Sequence, residues 1–217
     1  MAVIAPAVLA ESVEGFAHDL SVAASVSNRV QIDLADGEFA PNRTVGIEQI
    51  YCPDGVDIDL HVMFDNPSAH LETMIAVKPS LVIVHYEAKH LHNTKAIEDI
   101  RKQLQSAGIK FGLAILPNTS VDDVSAHLGS LDHVLVFTGE LGHYGGKMQT
   151  DCLSKISRLK AINPSLEVGV DGGIDEANIA GVVRAGADVL NVGSFIQKAS
   201  RPQEAYDTLK LAIAQQT

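Results

Sequence analysis

The chain of 217 residues has no tryptophan, only two cysteines and only 5% aromatic residues. Cys52 and Cys152 are too few for a disulfide framework and form no CxxC metal pattern, so a reduced, cytoplasmic setting is expected. Basic residues are also scarce. There are 16 Lys and Arg against 27 Asp and Glu, for a net charge of −11. With no basic cluster, nucleic acid is excluded as a partner, and any anionic ligand must be met by local backbone donors. No apolar run approaches the roughly 18 residues of a membrane span. The opening MAVIAPAVLAESVEGF lacks a basic leader and reaches an acid by Glu11, so neither a span nor a signal peptide is expected.

What is present is a patterned apolar half. Hydrophobic residues make up 46% of the chain, enough for a substantial core. Eight short β-rich runs recur at 2–10, 29–35, 56–64, 81–87, 109–116, 133–139, 166–172 and 187–193. Segments with helical spacing fall between most of them, among them 92–106, 120–129, 150–162, 175–185 and 202–215, while the helix expected at 43–55 is short and carries Pro and Gly. Ser120 with Asp123 reads as an N-cap box, and Asn93-Thr94 precedes another apolar-periodic run. Strands alternating with helices argue for parallel βαβ units, and the compact solution is one (β/α)8 TIM barrel over residues 1–217. The rival open doubly wound sheet is disfavoured because no GxGxxG follows the first run.

In such a barrel, chemistry gathers where strands end. Gln31 and Asp33 share one face of the second run, and Asp59, His61 and Met63 one face of the third. His85 and Glu87 end the fourth, Asp171 ends the seventh ahead of Gly172-Gly173, and Gly193-Ser194 ends the eighth. Each has an ordinary explanation alone: Asp36-Gly37 is a turn signal, and a strand histidine usually belongs to the core. Their convergence at one end of one barrel points to function. Asp33 and Asp171 would face each other across the mouth. One could remove a proton from a carbon next to a carbonyl while the other returns one to the opposite face. The enediolate so formed needs positive charge, and Asp and His side chains could hold a divalent metal to supply it. VDGGIDEANI and NVGSFI run from strand ends into expected helices, whose first N–H groups could receive a phosphate. LGHYGGKM (141–148) could fold over the ligand as a flap.

The segments IAPAVLA, QIDLADGEFAPN, DLHVMFDNP, HYEA, LAILPNTS, GHYGGKM, VDGGI and VGSFI, in this order, resemble the ribulose-phosphate 3-epimerase family over nearly the whole chain. The resemblance implies a ribulose-phosphate-binding type of barrel that interconverts D-ribulose 5-phosphate and D-xylulose 5-phosphate in the pentose phosphate pathway. It implies a small-molecule sugar phosphate as partner, a homo-oligomer and a divalent metal such as Zn, Fe, Mn or Co. It implies that Asp33 and Asp171 are the acid/base pair and metal ligands, that His61 is a ligand that also meets substrate, and that Gly142, Gly145, Gly146, Gly172, Gly173, Gly193 and Ser194 hold the phosphate. Four places depart from the family pattern. Gln31 stands where the family has a metal-ligand histidine, Ala10 where the first strand ends in a substrate-contacting serine, and Ala35 where a methionine precedes Asp-Gly. The flap reads Leu141-Gly142-His143-Tyr144-Gly145-Gly146-Lys147, one residue longer, with Lys147 in a glutamine's place. These departures leave open a hexulose-phosphate epimerase, another phosphosugar barrel enzyme, or a non-catalytic phosphosugar-binding barrel. No strand-end lysine is present for a Schiff base, which counts against a lysine aldolase.

Overall fold

The computed structural model describes residues 2–91, 94–142 and 145–215. Eight strands, β1 (Val3–Val8), β2 (Arg29–Ala35), β3 (Asp57–Met63), β4 (Leu81–His85), β5 (Lys110–Ile115), β6 (His133–Phe137), β7 (Glu167–Asp171) and β8 (Val189–Val192), close in chain order into one barrel. Every neighbouring pair is parallel, including β8 back to β1. All eight runs expected from the sequence are therefore strands. The longest register, between β2 and β3, sets Gln31 beside Asp59 and Asp33 beside His61. Most of the core lies between the strands and the outer helices. A small separate apolar cluster of Leu81, Ile83, Ala114 and Leu135 comes from alternate positions on β4, β5 and β6.

Helix α1 (Val13–Val26) starts at Ser12, whose hydroxyl accepts the Gly15 N–H, and buries Phe16, Leu20 and Ala23 on one stripe. Helices α2 (Leu71–Val77), α3 (Thr94–Ser106), α4 (Leu153–Ile162), α5 (Ile179–Arg184), α6 (Ser194–Gln197) and α7 (Pro202–Ala214) follow. The expected start of α3 at 92–93 lies outside the described residues.

Three expectations need correction. Segment 120–129 is a succession of turns. Asp123 does accept the Ser120 N–H at 2.8 Å, but the Ser125 and Ser130 hydroxyls bond carbonyls three residues back and offer the backbone an alternative to a helical ladder. Segment 43–55 holds only a single 3₁₀ turn, Ile47–Gln49. After β7 the helix begins at Ile179, because Asp175 and Asn178 close a local turn: Asp175 Oδ1 accepts the Ala177 and Asn178 N–H groups, and Asn178 Oδ1 accepts that of Asp175. Gly172 and Gly173 are thus not at a helix N-terminus.

Asp59 shares a face with His61 but lies at the opposite, N-terminal end of the barrel. Arg29 Nε donates to its Oδ2 at 2.7 Å, and the same guanidinium forks onto Glu167 at 2.8 and 2.7 Å, with His133 Nδ1 2.8 Å from Glu167 Oε2. Burial pushes the Asp59 carboxyl up, and Arg29 acts against it. This network closes the floor of the barrel, at the end away from the mouth where chemistry gathers, and acts on stability. Replacing Arg29→Met leaves Asp59 buried and uncompensated. Breaking a fully buried pair costs about 3–5 kcal/mol, but Glu167 is 32% exposed, so chemical denaturation should show a loss of about 2 kcal/mol. A loss below about 0.5 kcal/mol would show the network to be a surface pair in energetic terms.

Candidate active site

Asp33, His61 and Asp171 meet at the C-terminal mouth, at the base of a cavity also lined by Gly142, Gly145, Gly146, Gly172, Gly173, Gly193 and Ser194. The structure thus brings all of these sequence-derived candidates to one place. His143 and Tyr144 of the expected flap lie outside the described residues. Lys147 is exposed and absent from the lining.

The strand-one contact falls elsewhere than expected. Ala7 and Leu9 line the cavity, while Ala10 is buried beyond β1 and gives its carbonyl to the Val45 N–H at 3.0 Å. The helix expected directly after Gly193 is α6, only four residues long. Asp36 is a loop organiser: Oδ1 accepts the N–H groups of Glu38 and Phe39, and Oδ2 that of Asp65.

Gln31 sits below the cavity, fully buried. Its Nε2 donates to Asp33 Oδ1 at 2.8 Å and to Asp171 Oδ2 at 2.6 Å, so one amide group ties together carboxylates 138 residues apart in sequence. His61 Nδ1 approaches the same two oxygens at 2.9 and 3.5 Å. The two acids therefore converge on shared donors at the floor of the cavity. Burial, then the charge of Asp33, raises the Asp171 carboxyl to about 7. Burial opposes charge on His61, but its hydrogen bond to Asp33 and the two carboxylate charges outweigh this and raise its pKa.

A divalent cation fits these residues. Asp33, His61 and Asp171 each offer a donor atom within 4.8 Å of the others. The Gln31 carbonyl oxygen is buried without a partner. A half-turn of the carboxamide exchanges its oxygen and nitrogen and sets that oxygen toward the carboxylates, where it makes sense only with a cation between them.

The glycines are there for close approach. Gly172 has φ +111°, and a Cβ on it would overlap the backbone of Gly139. This contact draws the loops after β6 and β7 together over the mouth.

Asn191 and Phe137 are among the lining residues that escaped the sequence reading. Asn191 on β8 is buried, registers against Asp171 and has an unpartnered Oδ1. The signal was available: one amide inside the apolar run ADVLNVG. Phe137 at the end of β6 packs beside His61, with ring centroids 5.9 Å apart, and nothing in the sequence separates it from a core phenylalanine.

Fold and mouth together define a TIM-barrel enzyme. A sequence model described as the ribulose-phosphate 3 epimerase family matches residues 3–197. The ribulose-phosphate 3-epimerase of Schizosaccharomyces pombe is 30% identical over 199 residues, 88% of this chain and 85% of that one. That of Aquifex aeolicus is 36% identical over 172 residues, 76% of this chain and 75% of its own. The chain belongs to the ribulose-phosphate 3-epimerase family and is an isomerase-class enzyme. Among solved structures, 3-keto-L-gulonate-6-phosphate decarboxylase from Vibrio cholerae superposes with a TM-score of 0.74 at 15% identity, covering 100% of this chain and 99% of that one. The 3-hexulose-6-phosphate synthase of Salmonella typhimurium gives 0.72 at 16% identity, with 99% of each chain covered. These two likenesses concern the fold. No helix among the described residues is long and apolar enough to cross a membrane.

Proposed function

We propose that this enzyme inverts C3 of a phosphorylated ketose, converting D-ribulose 5-phosphate to D-xylulose 5-phosphate. The observation that carries the reading is the pair Asp33 and Asp171, held by shared donors at the base of a glycine-lined cavity. With Asp171 raised to about 7, one carboxyl can be protonated while its neighbour is ionised. The ionised aspartate takes the C3 proton, the C3–H electron pair moves into the enediolate, and the other aspartate returns a proton to the opposite face of C3. The pair ends with the protonation states exchanged, ready for the reverse reaction. Without a cation, His61 Nδ1 and the Gln31 amide hold the carboxylates in place. Asp33, His61 and Asp171, with the Gln31 oxygen, would hold a divalent cation of the Zn, Fe, Mn or Co class, which supplies electrostatic stabilisation of an enediolate when bound. The N–H groups of Gly145, Gly146, Gly172, Gly173, Gly193 and Ser194 receive the phosphate, and local donors of this kind suit a chain of net charge −11. A cytoplasmic site of action accords with two free cysteines.

The test is turnover of D-ribulose 5-phosphate in D₂O. One solvent deuteron should appear at C3 of each product molecule. Conversion no faster than background, with hexulose phosphates turned over in the same panel, would move the substrate assignment. No exchange with any ketose phosphate would overturn the epimerase reading. A further check concerns the phosphate: Ser194→Asp puts a fixed negative charge beside it. KM should rise by about tenfold or more, about 1.4 kcal/mol, with kcat little changed, as expected for lost uniform binding.

A further inference from the structure

Asn191 takes no part in the proton exchange above, yet its side chain stands beside it. Strand β8 is otherwise apolar, with Val189, Leu190 and Val192 around one amide. Asparagine is a poor strand former, so the fold by itself gives no reason for it there. Asn191 is only 2% exposed and lines the same cavity as Asp33 and Asp171. Its neighbours in register are Ala5 on β1, which has no polar side chain, and Asp171 on β7, whose Oδ2 already takes the Gln31 amide. Among the described residues nothing donates to Asn191 Oδ1. A buried carboxamide oxygen without a donor is costly, and in the wall of a ligand cavity the donor it calls for belongs to the ligand.

The kind of donor follows from what a sugar phosphate offers. A phosphate dianion and a ketone carbonyl only accept, so the missing donor is a hydroxyl. The reading above sets C3 at Asp33 and Asp171 and the phosphate at glycines that include Gly193. Asn191 is level with Asp171 in the β7–β8 register and two residues short of Gly193, a rise of about 6–7 Å. Between C3 and the phosphorus stand C4, C5 and the ester oxygen, and of these only C4 bears a hydroxyl. We propose that Asn191 is a substrate-binding residue that takes the C4 hydroxyl of the ketose phosphate and selects for it. The hydroxyl donates to the carboxamide oxygen. It also has lone pairs, so it can meet the NH₂ group instead if the carboxamide is turned by half. The substrate is then held at a third point, between the reacting carbon and the phosphate, which fixes C3 against the two aspartates. The assignment to C4 rests on the epimerase reading; the need for a hydroxyl donor at Asn191 does not.

The experiment pairs two sugars with two proteins. D-ribulose 5-phosphate and its 4-deoxy analogue are each given to wild type and to Asn191→Ala, and kcat/KM is measured for all four combinations. Wild type should prefer the hydroxylated sugar by about tenfold or more, because the analogue leaves a buried polar group unpaired. The variant should lose that preference and treat the two sugars within about threefold of each other. The same four combinations are repeated by titration calorimetry with both sugars reduced to the alcohol at C2, which cannot be epimerised, so that the dissociation constants need no turnover. They should show the same pattern. A wild-type protein that treats the two sugars alike would overturn the proposal, whether or not the variant folds, and so would a preference that survives Asn191→Ala. The expected dissociation constants in a protein that turns over no ketose phosphate would uphold the hydroxyl contact and overturn the epimerase reading instead.

Discussion

Asp171→Asn should abolish epimerisation and at the same time make the chelator-treated protein more stable above neutral pH. The carboxamide keeps the shape of Asp171 and can still accept the Gln31 amide, but it cannot carry a proton to or from C3. Loss of one general acid/base group costs about 10²–10⁴-fold, and kcat should fall by about 10³-fold with KM little changed. The stability gain follows from the sign of the linkage. The carboxyl sits at about 7 in the folded protein against 3.8 ordinarily. Between those values the folded state holds a proton that the unfolded state has released, so wild-type stability falls as pH rises from about 4 to about 7. The loss is greatest once both neighbouring carboxylates are ionised. The variant has no such charge, so its Tm should exceed wild type by a few degrees at pH 8 and lie near it at pH 4. Scanning calorimetry of both proteins with chelator checks this. A variant that retains a tenth of wild-type turnover would remove Asp171 from the acid/base pair, and one less stable at pH 8 would show that the carboxylate is better accommodated than its surroundings indicate.

The second large effect concerns Gln31. Its NH₂ group now does what a cation would do, drawing Asp33 Oδ1 and Asp171 Oδ2 to one point. A metal must therefore displace two amide hydrogen bonds, and receives in exchange a carboxamide oxygen, a weaker and harder donor than imidazole. Gln31→His restores nitrogen donation at that position and removes the competing NH₂. The affinity for Zn²⁺ should rise by about a hundredfold, roughly 2.8 kcal/mol. In chelator, by contrast, the variant should be less stable than wild type, because the amide bridge between the carboxylates is gone. Competition titration with a chromophoric chelator measures the first effect and thermal unfolding in chelator the second. Equal Zn²⁺ affinity in the two proteins would mean that Gln31 neither supports nor obstructs the cation.

Much of this site is legible in the chain because β-strand periodicity is simple. Alternation by two residues puts Gln31 with Asp33 and His61 with Met63, and a parallel barrel places the ends of all its strands at one mouth. Asp33, His61 and Asp171 could therefore be grouped without coordinates. The same periodicity is blind to which end of a strand a residue occupies. Asp59 shares a face with His61 yet belongs to the ion network at the opposite end, and only its ion pair with Arg29 reveals this. Helix spacing misled at 120–129, where side-chain hydroxyls compete for the backbone. It also misplaced the start of the helix after β7, where the Asp175–Asn178 turn intervenes. The mapping of strand one onto Ala10 missed because the strand ends two residues earlier, at Val8, and it is Ala7 that lines the mouth.

By itself, then, the sequence determined the alternation of strands and helices, the closed parallel barrel as their compact solution, and the acids and histidine at its mouth. These follow from local patterns of period 2 and 3.6 and from short-range turn chemistry. The tertiary structure alone decided that one buried amide from Gln31 ties Asp33 to Asp171, and that the Asn191 amide is set beside Asp171. Such contacts join atoms up to 140 residues apart across the barrel interior. Their direction depends on which oxygen or nitrogen faces which, and no periodicity along the chain encodes that.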